Sequence, residues 1–174
     1  MEKHHTPFTP RWWLAKVKQG SDRVAYRVGV LTGLRDPLIP PRRLHSVGGG
    51  DFVAVGEEFF RYFLDLARLE PHERVLDIGC GTGRMARPLS RYLTAGSYDG
   101  IDIVAPSIAW CQKTYARHCP NEHFRFHALD AYNRSYNPAG KYRAAEYRFP
   151  FADSSVDFTF LTSVFTHMLP EDME

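Results

Sequence analysis

Short apolar runs alternate with longer stretches of helical periodicity between residues 51 and 161. Four of the runs have the length and the β-branched or aromatic content of strands, and helical patterns separate them. The predicted strands cover residues 74–78, 97–101, 124–129 and 156–161. One predicted helix, at 52–69, precedes the first strand, and two others follow the first and second strands, one ending near 93 and one at 106–118. Strands that alternate with helices form a parallel sheet with right-handed crossovers. The pattern therefore predicts an α/β fold.

The first 50 residues form a distinct region, a basic and aromatic N-terminal arm ahead of a core that covers residues 51–174. The pattern predicts two helices in the arm, at 11–19 and 22–31, with Gly20 as the stop between them. The arm holds nine basic and three acidic residues, a net charge of +6, whereas the remainder has a net charge of −4. The arm could contact a phosphate-rich partner or a membrane surface, and a solvated surface is the alternative.

Residues 132–148 interrupt the alternation of strands and helices and are predicted to be an insertion. The segment has no clear period, and it is rich in tyrosine and in basic residues. Long insertions in compact domains are often binding loops, and a hairpin without a binding role is the alternative.

Composition limits the class of protein. The chain has 174 residues, of which 44% are apolar, with a net charge of +2, and this is sufficient for one globular domain. It carries no apolar stretch long enough to span a membrane, no secretory signal region and no strong nucleic-acid signal. The three cysteines, an odd number, have no metal-binding spacing, so free thiols in the cytoplasm are expected, with no metal site.

The sequence from Val75 to Arg84 carries the clearest chemistry. A buried strand ends with Asp77 near its last position, and glycines follow at positions 79, 81 and 83 before a helical pattern begins. Glycines at such a turn let a ligand approach the backbone closely. The dinucleotide fingerprint G-x-G-x-x-G would need its third glycine at position 84, where Arg84 stands. The spacing therefore argues against a nicotinamide cofactor.

The motif Asp77-Ile78-Gly79-Cys80-Gly81-Thr82-Gly83 resembles motif I of the class I S-adenosylmethionine-dependent methyltransferases, and the resemblance extends over roughly residues 57–174. It implies a Rossmann-like, doubly wound parallel sheet of seven strands. The chain supplies four of these, so the fold is expected to be incomplete at the C-terminus. It also implies S-adenosylmethionine as the cofactor.

The resemblance also implies the roles of individual residues. Asp102, at the end of the second predicted strand, would accept hydrogen bonds from the ribose hydroxyls, and Ile103 would pack on the adenine. Asp130 would accept from the adenine amine. The cofactor-binding residues implied by the resemblance are Asp77, Gly79, Cys80, Gly81, Gly83, Asp102, Ile103, Asp130, Ala131 and Thr162.

The expected reaction is methyl transfer to a small-molecule or sugar-like acceptor. His167 is the candidate for proton transfer, although a structural role is the alternative. Two other functions remain open: a non-catalytic module that binds the adenosyl cofactor, and a NAD-dependent oxidoreductase, which the glycine spacing disfavours.

Overall fold

The computed structural model describes residues 10–44, 49–119 and 121–167, and within these ranges it describes no side chain for residues 10–19 or for His167. Four helices and four strands follow one another in the order α1, α2, β1, α3, β2, α4, β3, β4. Their bounds are α1 Pro10–Leu31, α2 Phe52–Asp65, β1 Arg74–Ile78, α3 Ala86–Tyr92, β2 Ser97–Asp102, α4 Ala105–His118, β3 Phe124–Ala128 and β4 Phe158–Leu161. Single 3-10 turns cover Arg42–Leu44, Ala144–Glu146 and Phe165–His167.

The four strands form one parallel sheet with the order β3-β2-β1-β4. The predicted α/β, Rossmann-like fold is confirmed. Because all strands run in the same direction, their carboxyl ends lie at one edge of the sheet. The register places Asp77 beside Gly100 on one side and beside Phe160 on the other. The first two strands therefore present their last residues to the same space.

Aromatic side chains fill the space between the sheet and the helices. Tyr98 of β2 stacks on Phe124 of β3 at a ring distance of 4.9 Å, and Tyr115 of α4 lies parallel to the same phenylalanine. Phe63 of α2 packs against Phe160 of β4 at 4.5 Å. Burying such rings contributes roughly 1.5–3 kcal/mol each. Aromatic contacts thus help to hold α2 and α4 to the sheet, and aliphatic side chains such as Leu89 and Ile108 complete the core.

The arm differs from its prediction in one respect: α1 is a single helix, and Gly20 does not end it. A glycine inside a helix costs about 1 kcal/mol relative to alanine, which the flanking helical turns tolerate. The end of the arm packs on the core, because Leu38 and Pro40 are buried and Asp36 pairs with Arg87 of α3. The division into an arm and a core stays a prediction about domains.

Local geometry explains two helix boundaries in the core. α2 begins after Asp51, whose carboxylate caps it, and it ends at Asp65 instead of the predicted residue 69. Arg68 then takes a left-handed backbone conformation, which stops the helix. α3 begins only at Ala86, so Pro88 lies in its first turn, where its missing N–H is not needed and no kink is required.

The predicted insertion forms an irregular loop with few backbone pairings. One isolated bridge joins Ala131 to Tyr142, and another joins Asn133 to Asn137. Gly140 lies close against the backbone, since a Cβ at this position would lie 2.4 Å from the carbonyl oxygen of Ala131. Among the described helices, none is both long enough and apolar enough to cross a membrane.

Candidate functional site

A cavity of about 510 Å³ opens at the carboxyl ends of the strands. The glycine loop is defined as residues 79–83. Residues 79–82 of this loop form one wall of the cavity, and the insertion forms the opposite wall. Leu44 at the end of the arm and Thr162 after β4 complete the lining. This is the volume of a typical small-molecule or cofactor site, and its place at the strand ends is the usual one in open α/β sheets.

The glycine loop is held by the neighbouring strand. The backbone N–H groups of Gly79 and Cys80 both donate to the carbonyl oxygen of Ile101, at 2.9 and 3.1 Å. Gly79 has a φ of +81°, and a Cβ there would lie 2.5 Å from a methyl carbon of Val164. Gly81 has a φ of +55°, and a Cβ there would meet no atom within 4 Å. Gly79 is thus required for packing, whereas Gly81 leaves the backbone open to a ligand.

The carboxylate of Asp102 joins the glycine loop to the start of α4. One oxygen accepts a hydrogen bond from the N–H of Gly81 at 2.8 Å, and the other accepts from the N–H of Val104 at 2.7 Å. Each oxygen of a carboxylate has a second lone pair. Asp102 is therefore oriented by the backbone and keeps capacity to accept from two ligand hydroxyl groups.

Asp77 lies beneath the loop and is almost completely buried. The hydroxyl group of Tyr98 donates to its carboxylate at 2.6 Å. Burial raises the pKa of Asp77 to about 7, because desolvation outweighs the hydrogen bond from Tyr98, and the nearby charge of Asp102 raises it further. Two carboxyl groups in this wall make it attractive to a cationic ligand group.

The cysteines near the loop are not suited to nucleophilic chemistry. Cys80 and Cys111 are free and buried. Burial and the nearby carboxylates raise the pKa of both thiols, so both stay protonated at neutral pH. Among the described residues, no group of three or more histidine, cysteine or acidic side chains could hold a metal ion.

The opposite wall is aromatic and comes from the insertion and the residues after it. It is made of the side chains of Tyr132, Tyr136, Tyr147 and Phe149. Tyr147 meets Tyr142 and Phe149 edge to face, at ring distances of 6.1 and 5.9 Å. Such a wall suits a ligand with an apolar or ring-shaped face.

The structure brings most of the predicted site residues together. The predicted residues that line the cavity are Asp77, Gly79, Cys80, Gly81, Asp102, Ile103, Ala131 and Thr162. Their roles toward a cofactor stay predictions.

Two predicted residues are absent from the lining. Gly83 faces α4, where its carbonyl oxygen accepts from the hydroxyl of Tyr115 at 3.1 Å. The side chain of Asp130 is about half exposed and lies 3.8 Å from the ammonium group of Lys141. Because the last residue of β3 is Ala128, Asp130 already belongs to the loop that starts the insertion. The side chain of His167 lies outside the described residues, so its catalytic role stays a prediction.

Several residues of the site were not identified from the sequence. Tyr98 orients Asp77 from the next strand, and Val164 packs on Gly79 from beyond β4. Leu44 reaches the cavity from the arm. These contacts join residues far apart in the chain, so no local pattern reports them. The insertion tyrosines did carry a signal, since their density in a non-periodic segment indicated a binding loop.

The chain resembles known methyltransferases beyond its motif. Residues 75–174, more than half of the chain, match the family model described as a methyltransferase domain. Malonyl-[acyl-carrier protein] O-methyltransferase of Magnetococcus marinus is 41% identical over 58 residues, which are 33% of this chain and 21% of that protein. The chain spans about a fifth of the length of the curated relatives that it matches.

Two solved structures are similar at low identity. An S-adenosylmethionine-dependent methyltransferase from Aquifex aeolicus has 20% sequence identity and a TM-score of 0.47. The matched region covers 79% of this chain and 63% of the Aquifex chain. The other structure is coclaurine N-methyltransferase bound to N-methylheliamine and S-adenosylhomocysteine, with 11% sequence identity and a TM-score of 0.48. The matched region covers 63% of this chain and 27% of the coclaurine N-methyltransferase chain.

The chain belongs to the class I S-adenosylmethionine-dependent methyltransferase family. S-adenosylmethionine is the cofactor of this family, in agreement with the prediction. The cavity fits it on three counts: Gly81 leaves backbone open, Asp102 has capacity for two hydroxyl groups, and the wall beside Asp77 suits a cationic sulfonium and amino group.

Proposed function

We propose that this chain binds S-adenosylmethionine in the cavity and transfers its methyl group to a small-molecule or sugar-like acceptor. One observation carries the proposal: the glycine loop and Asp102 meet in one cavity, and the N–H of Gly81 donates to the Asp102 carboxylate at 2.8 Å. The loop leaves the backbone open to a ligand at Gly81, and the same loop orients the Asp102 carboxylate. Together they form the two halves of an adenosyl site.

We assign the residue roles that the resemblance implies, and the positions of the side chains in the cavity support them. Asp102 accepts from the two ribose hydroxyls, and Ile103 and Ala131 flank the adenine. The loop from Gly79 to Gly81 lies along the methionine part. Asp130 keeps its predicted role toward the adenine amine only if its side chain leaves Lys141 and turns inward, so we place it second to Asp102.

The aromatic wall supports the acceptor class. Rings such as those of Tyr132 and Tyr147 favour an acceptor with an apolar or ring face, including the face of a sugar. The exposed basic residues of the insertion, with Arg134 and Arg148 among them, would suit an acceptor that also carries negative charge.

The residues of the site have little chemistry to perform. When bound, the cofactor would supply a methyl group on a positively charged sulfonium sulfur. As the acceptor's lone pair forms the new bond to the methyl carbon, the carbon–sulfur bond would break and leave a neutral thioether. The cavity walls hold the acceptor in line, and positioning of this kind supplies much of the acceleration. A base is needed only for an acceptor that arrives protonated, and His167 is the candidate.

The calorimetric test uses S-adenosylhomocysteine and NAD as ligands. We expect the first to bind and NAD to give no heat. In the Asp102→Ala variant we expect affinity for S-adenosylhomocysteine to fall about tenfold or more, because hydrogen bonds to a charged group contribute roughly 1.5–3 kcal/mol each. Asp130→Ala is the matched control, and we expect it to lose less than Asp102→Ala.

The outcomes separate the three functions. NAD binding alone would support the oxidoreductase. Binding of S-adenosylhomocysteine without methyl transfer to any acceptor in a screen of phenols, carboxylates and sugars would support the non-catalytic module. Equal losses in the two variants would mean that the ribose is held elsewhere. The predicted cytoplasmic location is part of this proposal and needs localisation of the tagged protein in cells.

A further inference from the structure

The second half of α1 exposes a narrow apolar stripe. Val24, Val28 and Leu31 follow one another at the spacing of one helix face, and Leu34 comes three positions after the last residue of the helix. Their exposed fractions are 63%, 50%, 79% and 87%. Single exposed apolar residues are ordinary, but four within residues 24–34, three of them on one helix face, are a local concentration of exposed apolar surface.

The stripe is not the side by which the helix packs. On another face of α1, the hydroxyl of Tyr26 donates to the carbonyl oxygens of Pro37 and Ile39, at 3.2 Å each. The guanidinium of Arg35 lies 4.9 Å above the Tyr26 ring and donates to the carbonyl oxygen of Pro40 at 3.1 Å. These contacts fix the end of α1 on the chain that follows it and leave the stripe turned outward.

Positive charge accompanies the stripe. Arg23 and Arg27 lie next to it on the helix surface, both exposed, and in the described part of the chain no acidic side chain pairs with either. The whole helix holds five basic residues and one acidic residue, Asp22. The 3-10 turn near the end of the arm adds exposed Arg42 and Arg43.

We propose that α1 binds an anionic membrane surface, lying in the plane of the headgroups with Val24, Val28, Leu31 and Leu34 turned into the acyl boundary. An apolar stripe beside basic side chains is the pattern of helices that lie on a bilayer. The sequence of the same helix also holds Trp12 and Trp13, and tryptophan is enriched at membrane interfaces. The charge is spread along the helix, which suits a diffuse layer of headgroups better than one acidic protein pocket.

The test is sedimentation of the whole chain with vesicles of phosphatidylcholine, with and without phosphatidylserine. We expect binding only with phosphatidylserine and its loss at high salt, because salt screens the attraction. The double variant Arg23→Gln/Arg27→Gln should bind about 30-fold more weakly, since each basic residue near the surface contributes about a factor of five. The double variant Val28→Ser/Leu31→Ser should bind at least about tenfold more weakly.

Two exposed residues on other helices are matched controls. Leu66 at the end of α2 is as exposed as Leu31, and Arg117 in the last turn of α4 is exposed like Arg27. We expect Leu66→Ser and Arg117→Gln to leave vesicle binding unchanged. All variants should keep the melting temperature of the parent chain, because the substituted side chains are exposed.

Four results would overturn the proposal. The first two are that the chain does not bind phosphatidylserine vesicles, or that it binds neutral vesicles equally well. The third is that the control variants lose as much vesicle binding as the α1 variants. The fourth is that light scattering gives the mass of two chains for the parent and the mass of one chain for the serine variant. The last result would assign the stripe to a second copy of the chain. Binding to heparin or RNA that the glutamine variant weakens, without vesicle binding, would assign the charge to a polyanion.

Discussion

The two walls of the cavity are built in opposite ways. The glycine loop is held by β2 and α4: the N–H groups of Gly79 and Cys80 donate to Ile101, and the carbonyl oxygen of Gly83 accepts from Tyr115. The carboxylates beside it are held too, Asp77 by Tyr98 and Asp102 by the N–H of Gly81. The insertion is exposed, irregular and closed by two isolated bridges. A wall of the first kind suits an invariable ligand such as a cofactor, whereas a wall of the second kind can vary with the acceptor without disturbing the fold. Stability and cofactor affinity should therefore depend on the loop, and acceptor choice on the insertion.

The largest expected effect is the pH dependence that Asp77 gives to the loop. Its pKa in the folded chain is about 7, above the ordinary value of 3.8. The folded state therefore holds this proton up to about pH 7, whereas the unfolded state releases it near pH 4, so stability falls as pH rises between these values. Relative to Asp77→Asn, the parent chain should lose up to about 4 kcal/mol across this window in urea unfolding. A constant difference between the two chains would mean that Asp77 is not buried as described.

The next largest effect concerns two glycines of the same loop. Gly79→Ala combines a left-handed backbone with a contact of 2.5 Å to Val164, and we expect a loss of about 3 kcal/mol in the free energy of unfolding. Gly81→Ala meets no atom and should lose about 1 kcal/mol, but it should weaken S-adenosylhomocysteine binding. Equal destabilisation by the two variants would contradict the assignment of packing to one glycine and ligand access to the other.

A moderate effect is expected at the hydroxyl group that satisfies Asp77. Tyr98→Phe removes its donor, and at pH 8 we expect a loss of about 2 kcal/mol, because a buried carboxylate is left with one partner fewer. Tyr92→Phe is the matched control: its hydroxyl donates to the carbonyl oxygen of Leu69 in a less buried place, and its loss should be about 1 kcal/mol. Urea unfolding measures both losses in the free energy of unfolding. A larger loss in Tyr98→Phe than in Tyr92→Phe would show that the Tyr98 hydrogen bond contributes more to stability.

The smallest effect on stability is expected in the insertion. Tyr132→Ala and Phe149→Ala remove side chains that are nearly half exposed, so the free energy of unfolding should change by no more than about 0.5 kcal/mol. Affinity for S-adenosylhomocysteine should stay the same, while the KM for an acceptor identified by the screen should rise. A large loss of stability in either variant would show that the insertion supports the fold, and the contrast between the two walls would fail.

The sequence alone determined the order and type of the core elements and the place of the cofactor motif. The four strands lie within two residues of their predicted bounds, and β1 matches its prediction. Strand patterns depend on alternation and apolar runs among near neighbours, and a glycine loop after a strand is a local signal too. For the same reason, the sequence alone is sufficient to assign the acidic residues at the ends of β1 and β2 to one edge of the sheet.

Only the tertiary structure decided which of these residues meet. It paired Asp77 with Tyr98, which lies 21 positions further along the chain, and it set Val164 against Gly79. It left Asp130 outside the cavity and merged two predicted helices into α1 across Gly20. The physical reason is that such contacts depend on how separate elements pack, and the gain from packing overrides weak local preferences such as the cost of one glycine in a helix.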